Sequence, residues 1–158
     1  MTERETFYGM GQLALMTGLT DRTLRSYLAS GLLQGEKVDG SWRFTPEQVE
    51  ALIRHPAVRP SILAKHNGLV YDFLLNTGKP AEELCVILDI PGGGKQETAD
   101  FFCREITGGG HQNLRFFFDG VGKGSRVILT GEAAGILGLL NAYSRSRAPG
   151  EHDSGQRP

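Results

Sequence analysis

The apolar positions of the chain change rhythm from one segment to the next. Residues 10–16, "MGQLALM", predict a short apolar helix that Gly18, following Thr17, brings to a stop. A second helix, "DRTLRSYLAS", is predicted between Thr20 as its cap and Gly31 as its stop, with Leu24, Leu28, Leu32 and Leu33 turned inward. "EKVDGSWRF" alternates around Asp39 and Gly40, a pair suited to a two-residue hairpin turn. "TPEQVEALIR" then opens a third helix with Thr45 as cap, Pro46 at its first position and Gln48 completing a capping box. Its apolar face is Val49, Leu52 and Ile53.

Two prolines interrupt the pattern in "HPAVRPSI", residues 55–62, and mark a join. Beyond it, "SILAKHNGLVYDFLLNTGKP" reads as an amphipathic helix with Ile62, Leu63, Leu69, Val70, Phe73 and Leu74 on one side, ended by Gly78 and Pro80. "ELCVILDIP" is a continuous apolar run and predicts a buried strand. Ala99, Phe102, Cys103 and Ile106 in "KQETADFFCREI" keep helical spacing. "NLRFFF" and "RVILTG" predict two strands joined by the glycine-rich "DGVGKGS". "EAAGILGLLNAYS" predicts a last helix, its two glycines costing about 1 kcal/mol each. The fold class is therefore α+β: a helix-turn-helix unit with a hairpin over 1–58, then a small domain of helix, strand, helix, strand, strand, helix over 59–145. Residues 146–158 have no apolar face and read as a disordered tail, and no internal repeat is found.

Composition narrows the classes without choosing among them. At 158 residues the chain can bury a real core. Hydrophobic content of 39% and charged content of 22% are ordinary for a globular protein. No window approaches the roughly 18 apolar residues of a membrane span, and "MTERETFYG" lacks the basic start of a signal peptide. The two cysteines, Cys85 and Cys103, sit in apolar segments and read as buried thiols. A cytoplasmic protein with no membrane partner is expected. Net charge is −1, and residues 1–60 carry seven Lys/Arg against seven Asp/Glu, so a DNA partner must be argued from where the charges sit.

The second helix is where they sit. A helix that enters the major groove needs short polar groups near its N-terminus and cations that reach phosphates on its flanks. Thr20, Arg22, Thr23, Arg25, Ser26 and, farther along, Tyr27 supply both on one outward face. Asp21, at the helix start, suits the helix dipole but repels phosphate. Spacing alone leaves a solvated face carrying two arginines as an equal reading.

"YGMGQLALMTGLTDRTLRSYLASGLL" resembles the N-terminal helix-turn-helix of the MerR family of bacterial transcription regulators. The shared pattern is an aromatic and an aliphatic residue, G-x-L-A, T-G, R-T-L-R-x-Y and G-L-L. Tyr8, Met10, Gly11, Leu13, Ala14, Thr17, Gly18, Arg22 to Arg25, Tyr27 and Gly31 to Leu33 fit it. The resemblance covers roughly the first 60 residues. It implies a winged helix-turn-helix that binds double-stranded DNA as a homodimer, with DNA-facing roles for Arg22, Thr23, Arg25 and Tyr27 and phosphate contacts from Arg25 and Tyr27. The hairpin departs from the family's G-Y-R-x-Y/F: Ser41 and Trp42 stand where Tyr and Arg are expected, and "SWRFT" is similar to the wing of excisionase-type proteins. Lys37 and Arg43 are expected backbone contacts of this wing, and Trp42 reads as a core plug rather than a DNA contact.

In the second half the candidates are weaker. Cys85, Cys103, His66 and His111 make no ligand pair, so no metal or other cofactor is expected. "PGGGK" at 91–95 fails the phosphate-loop pattern, with Asp89 where Gly and Gln96 where Ser or Thr would be needed. In "LRFFF", Arg115 and Phe117 point to one side of a strand. That side is a ligand or dimer surface if helices cover only the other face, and core if they cover both. No nucleophile stands with a base, so no enzyme is expected. The expected function is a sequence-specific DNA-binding transcription regulator that acts as a dimer, its second domain either making the dimer or sensing a small-molecule effector. Two other readings remain: an excisionase-like DNA-bending factor of a mobile element, and a protein-docking module with a ligand-binding or catalytic C-terminal domain.

Overall fold

The computed structural model describes residues 7–108, 113–120 and 122–147. Within them the chain forms α1 (Met10–Thr17), α2 (Asp21–Ser30), β1 (Glu36–Val38), β2 (Ser41–Arg43), α3 (Pro46–Arg54), α4 (Arg59–Leu75), β3 (Glu83–Ile90), α5 (Lys95–Gly108), β4 (Arg115–Asp119), β5 (Ser125–Glu132) and α6 (Ala133–Arg147). It is an α+β fold with two small sheets.

Local chemistry sets the N-terminal elements. Gly18 and Gly31 end α1 and α2 with φ of 76° and 83°, a region an L side chain rarely adopts. Thr20 Oγ1 accepts from the Thr23 amide at 3.1 Å. Thr45 and Gln48 exchange both capping-box bonds at the head of α3. Asp39 and Gly40, with φ of 51° and 82°, turn β1 antiparallel onto β2. Tyr8 and Phe44 exchange backbone hydrogen bonds at 2.8 and 2.9 Å and tie the chain start to the hairpin. Leu13, Met16, Leu24, Leu33, Phe44 and Leu52 are fully buried between these elements.

The second sheet runs β3-β5-β4, all neighbours antiparallel. Val86, Leu129 and Phe116 form one row, and Ile87, Ile128 and Phe117 the next row on the opposite face. The first face packs on α5 and α6, where Phe102 stacks on Phe116 with centroids 5.6 Å apart and Tyr143 closes over Phe102. α4 crosses the second face, and α1 lies along β4. A bidentate Arg59–Asp119 pair, at 2.9 and 2.8 Å, anchors the start of α4 to the end of β4.

Four expectations are corrected. Helices lie on both faces, so Phe117 is only 8% exposed, closed in by Leu69 and stacked on His66 at 4.6 Å. It is core and not an open ligand or dimer surface; of the pair, only Arg115 faces solvent. β3 is an edge strand and not a buried one: its apolar run is half-buried at most positions and Ile87 is 52% exposed. α4 begins at Arg59, ahead of Ser61, because Pro60 fits a first helical turn. The join at residues 55–62 does not interrupt the core, since buried Val58 and Ile62 belong to the same cluster as Leu24 and Leu129. α6 runs on through Arg147; the rest of the expected tail, 148–158, lies outside the described residues, as do His111 and Val121 of the hairpin loop.

Candidate nucleic-acid interface

α2 starts at a cap that leaves its first turn turned outward. Thr20, Asp21, Arg22, Arg25 and Ser26 are exposed, while Leu24 is fully buried and fixes which side the helix presents. Thr20 spends its hydroxyl locally: it accepts from the Thr23 amide and donates to Thr23 Oγ1 at 2.9 Å. Its role here is the cap, and Thr23 keeps its own O–H as a donor beside it. Arg25 Nε donates to Asp21 Oδ2 at 2.6 Å, an exposed i,i+4 pair. Such a pair contributes about 0.3–0.5 kcal/mol, so a phosphate can displace Asp21 at small cost. Meanwhile the pair aims the guanidinium along the helix. Arg22 projects from the first turn with its side chain in solvent.

Tyr27 is half-buried, and its ring packs against the core. Its carbonyl accepts from the Leu33 amide at 3.1 Å. Lys37 and Arg43 are exposed on the hairpin, Lys37 over the Trp42 ring at 5.9 Å and Arg43 over the Phe7 ring at 5.8 Å. Trp42 itself is half-buried and stacked on Phe44 with centroids 6.3 Å apart. It is therefore a prop for the hairpin with one face wet, between the plug and the contact that the sequence offers. Stacking on Lys37 and Phe44 stiffens a hairpin whose strands are three residues each.

Sequence reasoning missed the joint beneath this face. The turn between α1 and α2 rests on the sheet: a Cβ at Gly18 would lie 2.4 Å from the Phe117 ring. Phe117 in turn carries His66 of α4, whose Nε2 is buried without a hydrogen-bond partner. Burial lowers the His66 pKa to about 4, Asp119 pulling it up and Arg59 pushing it down. The imidazole is thus neutral and packs α4 on β4 through Phe117. Nearby, burial and the neighbouring Asp100 carboxylate of α5 raise the Tyr8 hydroxyl far above its ordinary value. The Asp100 carboxyl is itself raised by burial. Only the cap and stop residues around this joint carry a local sequence signal; its contacts are all long-range.

Among the described residues no group of three or more His, Cys, Asp or Glu could hold a metal ion, and no helix is long and apolar enough to cross a membrane. Residues 8–54 match the model of the MerR HTH family regulatory proteins. The match begins at Tyr8 and ends at the last residue of α3. No curated protein and no solved structure matches the chain.

Proposed function

We propose, from the MerR-type DNA-binding module at residues 8–54, that the protein is a cytoplasmic, sequence-specific regulator of transcription, acts as a homodimer on a two-fold DNA site, and answers to a small-molecule effector. The observation that carries the reading is the outward face of α2. Two exposed arginines and three short hydroxyl residues stand on the first turns of a helix whose opposite side is locked into the core. Arg22, Thr23 and Ser26 take the base edges and nearby phosphates, Arg25 takes a phosphate once it leaves Asp21, and Lys37 and Arg43 reach the backbone from the hairpin. Tyr27, packed on the core, offers only its hydroxyl end.

Dimerisation is supported by α4, the helix that follows the module. Its C-terminal end leaves Tyr71, Leu74 and Leu75 exposed at helical spacing, an apolar face that a second copy would cover. One module grips one half-site, and a second copy supplies the affinity that a single half-site cannot. No catalytic step belongs to this reading.

The test is fluorescence anisotropy of the purified chain on its own upstream DNA and on scrambled DNA, at two salt concentrations, with sedimentation for stoichiometry. Specific binding that weakens steeply with salt, with two chains per site, is expected. Equal, feeble binding to both DNAs by a monomer overturns the reading.

A further inference from the structure

A cleft lies between the DNA-binding module and the second sheet, with a cavity volume of about 90 Å³. Its walls come from far apart in the chain: Met16 of α1, Val49 and Ile53 of α3, Ala99 of α5 and Phe118 of β4. These side chains are apolar, and Tyr8, Glu50, Lys95 and Gln96 supply the polar part of the lining. The volume is of the same order as the roughly 150 Å³ apolar cavity that takes up benzene, so the body of an occupant is no larger than a single ring.

Polar groups gather at the rim, and they are unevenly matched. Glu50 is paired on its own helix with Arg54 at 3.0 Å. Tyr8 has the Asp100 carboxylate beside its hydroxyl. Lys95, at the first position of α5, donates to the Gly122 carbonyl and has Glu50 as its carboxylate neighbour only at 3.9 Å. Lys95 lines the cleft with its ammonium on a neutral carbonyl and a distant carboxylate, while Glu50 is already paired with Arg54. An anionic head suits that rim; a cationic head would have to compete with Arg54.

We propose that this cleft binds a small monocarboxylic acid, whose compact apolar body fills the space between α3 and α5 and whose carboxylate takes the ammonium of Lys95. A charge-assisted hydrogen bond in a half-buried setting is stronger than the loose pair it replaces. Because α3 belongs to the DNA-binding module and α5 to the second sheet's layer, an occupied cleft fixes one on the other. The acid is then the effector of the regulator proposed above; the effector role rests on that reading, and the acid site does not.

The probes are benzoate and 3-methylbutanoate, with benzyl alcohol and benzylamine as neutral and cationic controls, titrated into the full chain and followed by ligand-observed NMR and calorimetry without DNA. The two acids bind and the controls bind about tenfold or more weaker. Lys95→Met loses the preference for acids, Lys95→Arg keeps it, and circular dichroism reports that both variants are folded. No acid binding, equal binding of benzyl alcohol, tighter binding of benzylamine, or unaltered benzoate binding by Lys95→Met each overturns the site. Repeating the anisotropy with benzoate present separates the two readings: an occupied cleft shifts DNA affinity about fivefold or more, and unmoved affinity overturns the effector role. A chain that takes benzoate through Lys95 but ignores DNA overturns the regulator and leaves the acid site standing. One that binds DNA and not benzoate does the reverse.

Discussion

Thr20 and Thr23 face each other across the first turn of α2, and the order of their hydrogen bonds decides which of them is left for DNA. Thr20 accepts from the Thr23 amide and donates to its hydroxyl, so removing Thr20 costs a cap, about 1 kcal/mol, whatever DNA does. His66 is the other residue whose environment sets a measurable behaviour. Its pKa is lowered to about 4 by burial, so the unfolded chain takes up a proton near pH 6.5 that the folded chain refuses until about pH 4. Stability contributed by the neutral imidazole is full above pH 6.5 and falls as the pH drops through that window. Relative to His66→Leu, the wild type should lose on the order of 3 kcal/mol between pH 6.5 and 4. Urea midpoints of the two proteins across that range check it, and a difference that does not change with pH contradicts it.

At the scale of elements, glycine has two opposite effects. Gly18 ends α1 in the left-handed region with the Phe117 ring against it. Gly18→Ala adds backbone strain and a clash, and should destabilise by about 2–4 kcal/mol. Gly138 sits inside α6 with open space where a Cβ would go; Gly138→Ala should stabilise by about 0.5–1 kcal/mol. Thermal melts read both, and the same sign for the two contradicts this account of the glycines. These elements were readable in the sequence because their signals are local: Thr20, Thr45 and Gln48 cap within one turn, Asp39-Gly40 turns within two residues, and Gly18 and Gly31 stop the helices they follow. Strand neighbours were not readable. A run such as "ELCVILDIP" looks the same on an edge as in a sheet's centre, and which face α4 would cover depends on residues 50 positions away. Hence β3 turned out to be an edge and Phe117 core.

At the scale of the whole molecule, one core joins the helix-turn-helix module to the second sheet. The two meet further where Gly18 rests on Phe117 and where Tyr8 lies beside Asp100. None of these contacts could be read from spacing, since each joins segments that different local patterns describe. The candidate DNA face was readable, because Arg22, Thr23, Arg25 and Ser26 lie within five residues on one helix. What that face does is the central claim, and the salt dependence of DNA affinity tests it most directly. Wild type and the double variant Arg22→Ala/Arg25→Ala should be compared on upstream DNA over a series of salt concentrations. With both arginines on phosphates, the slope of log affinity against log salt should become shallower by about two for each module, and affinity should fall at every salt concentration. An unchanged slope and unchanged affinity would contradict the account and leave α2 a solvated helix.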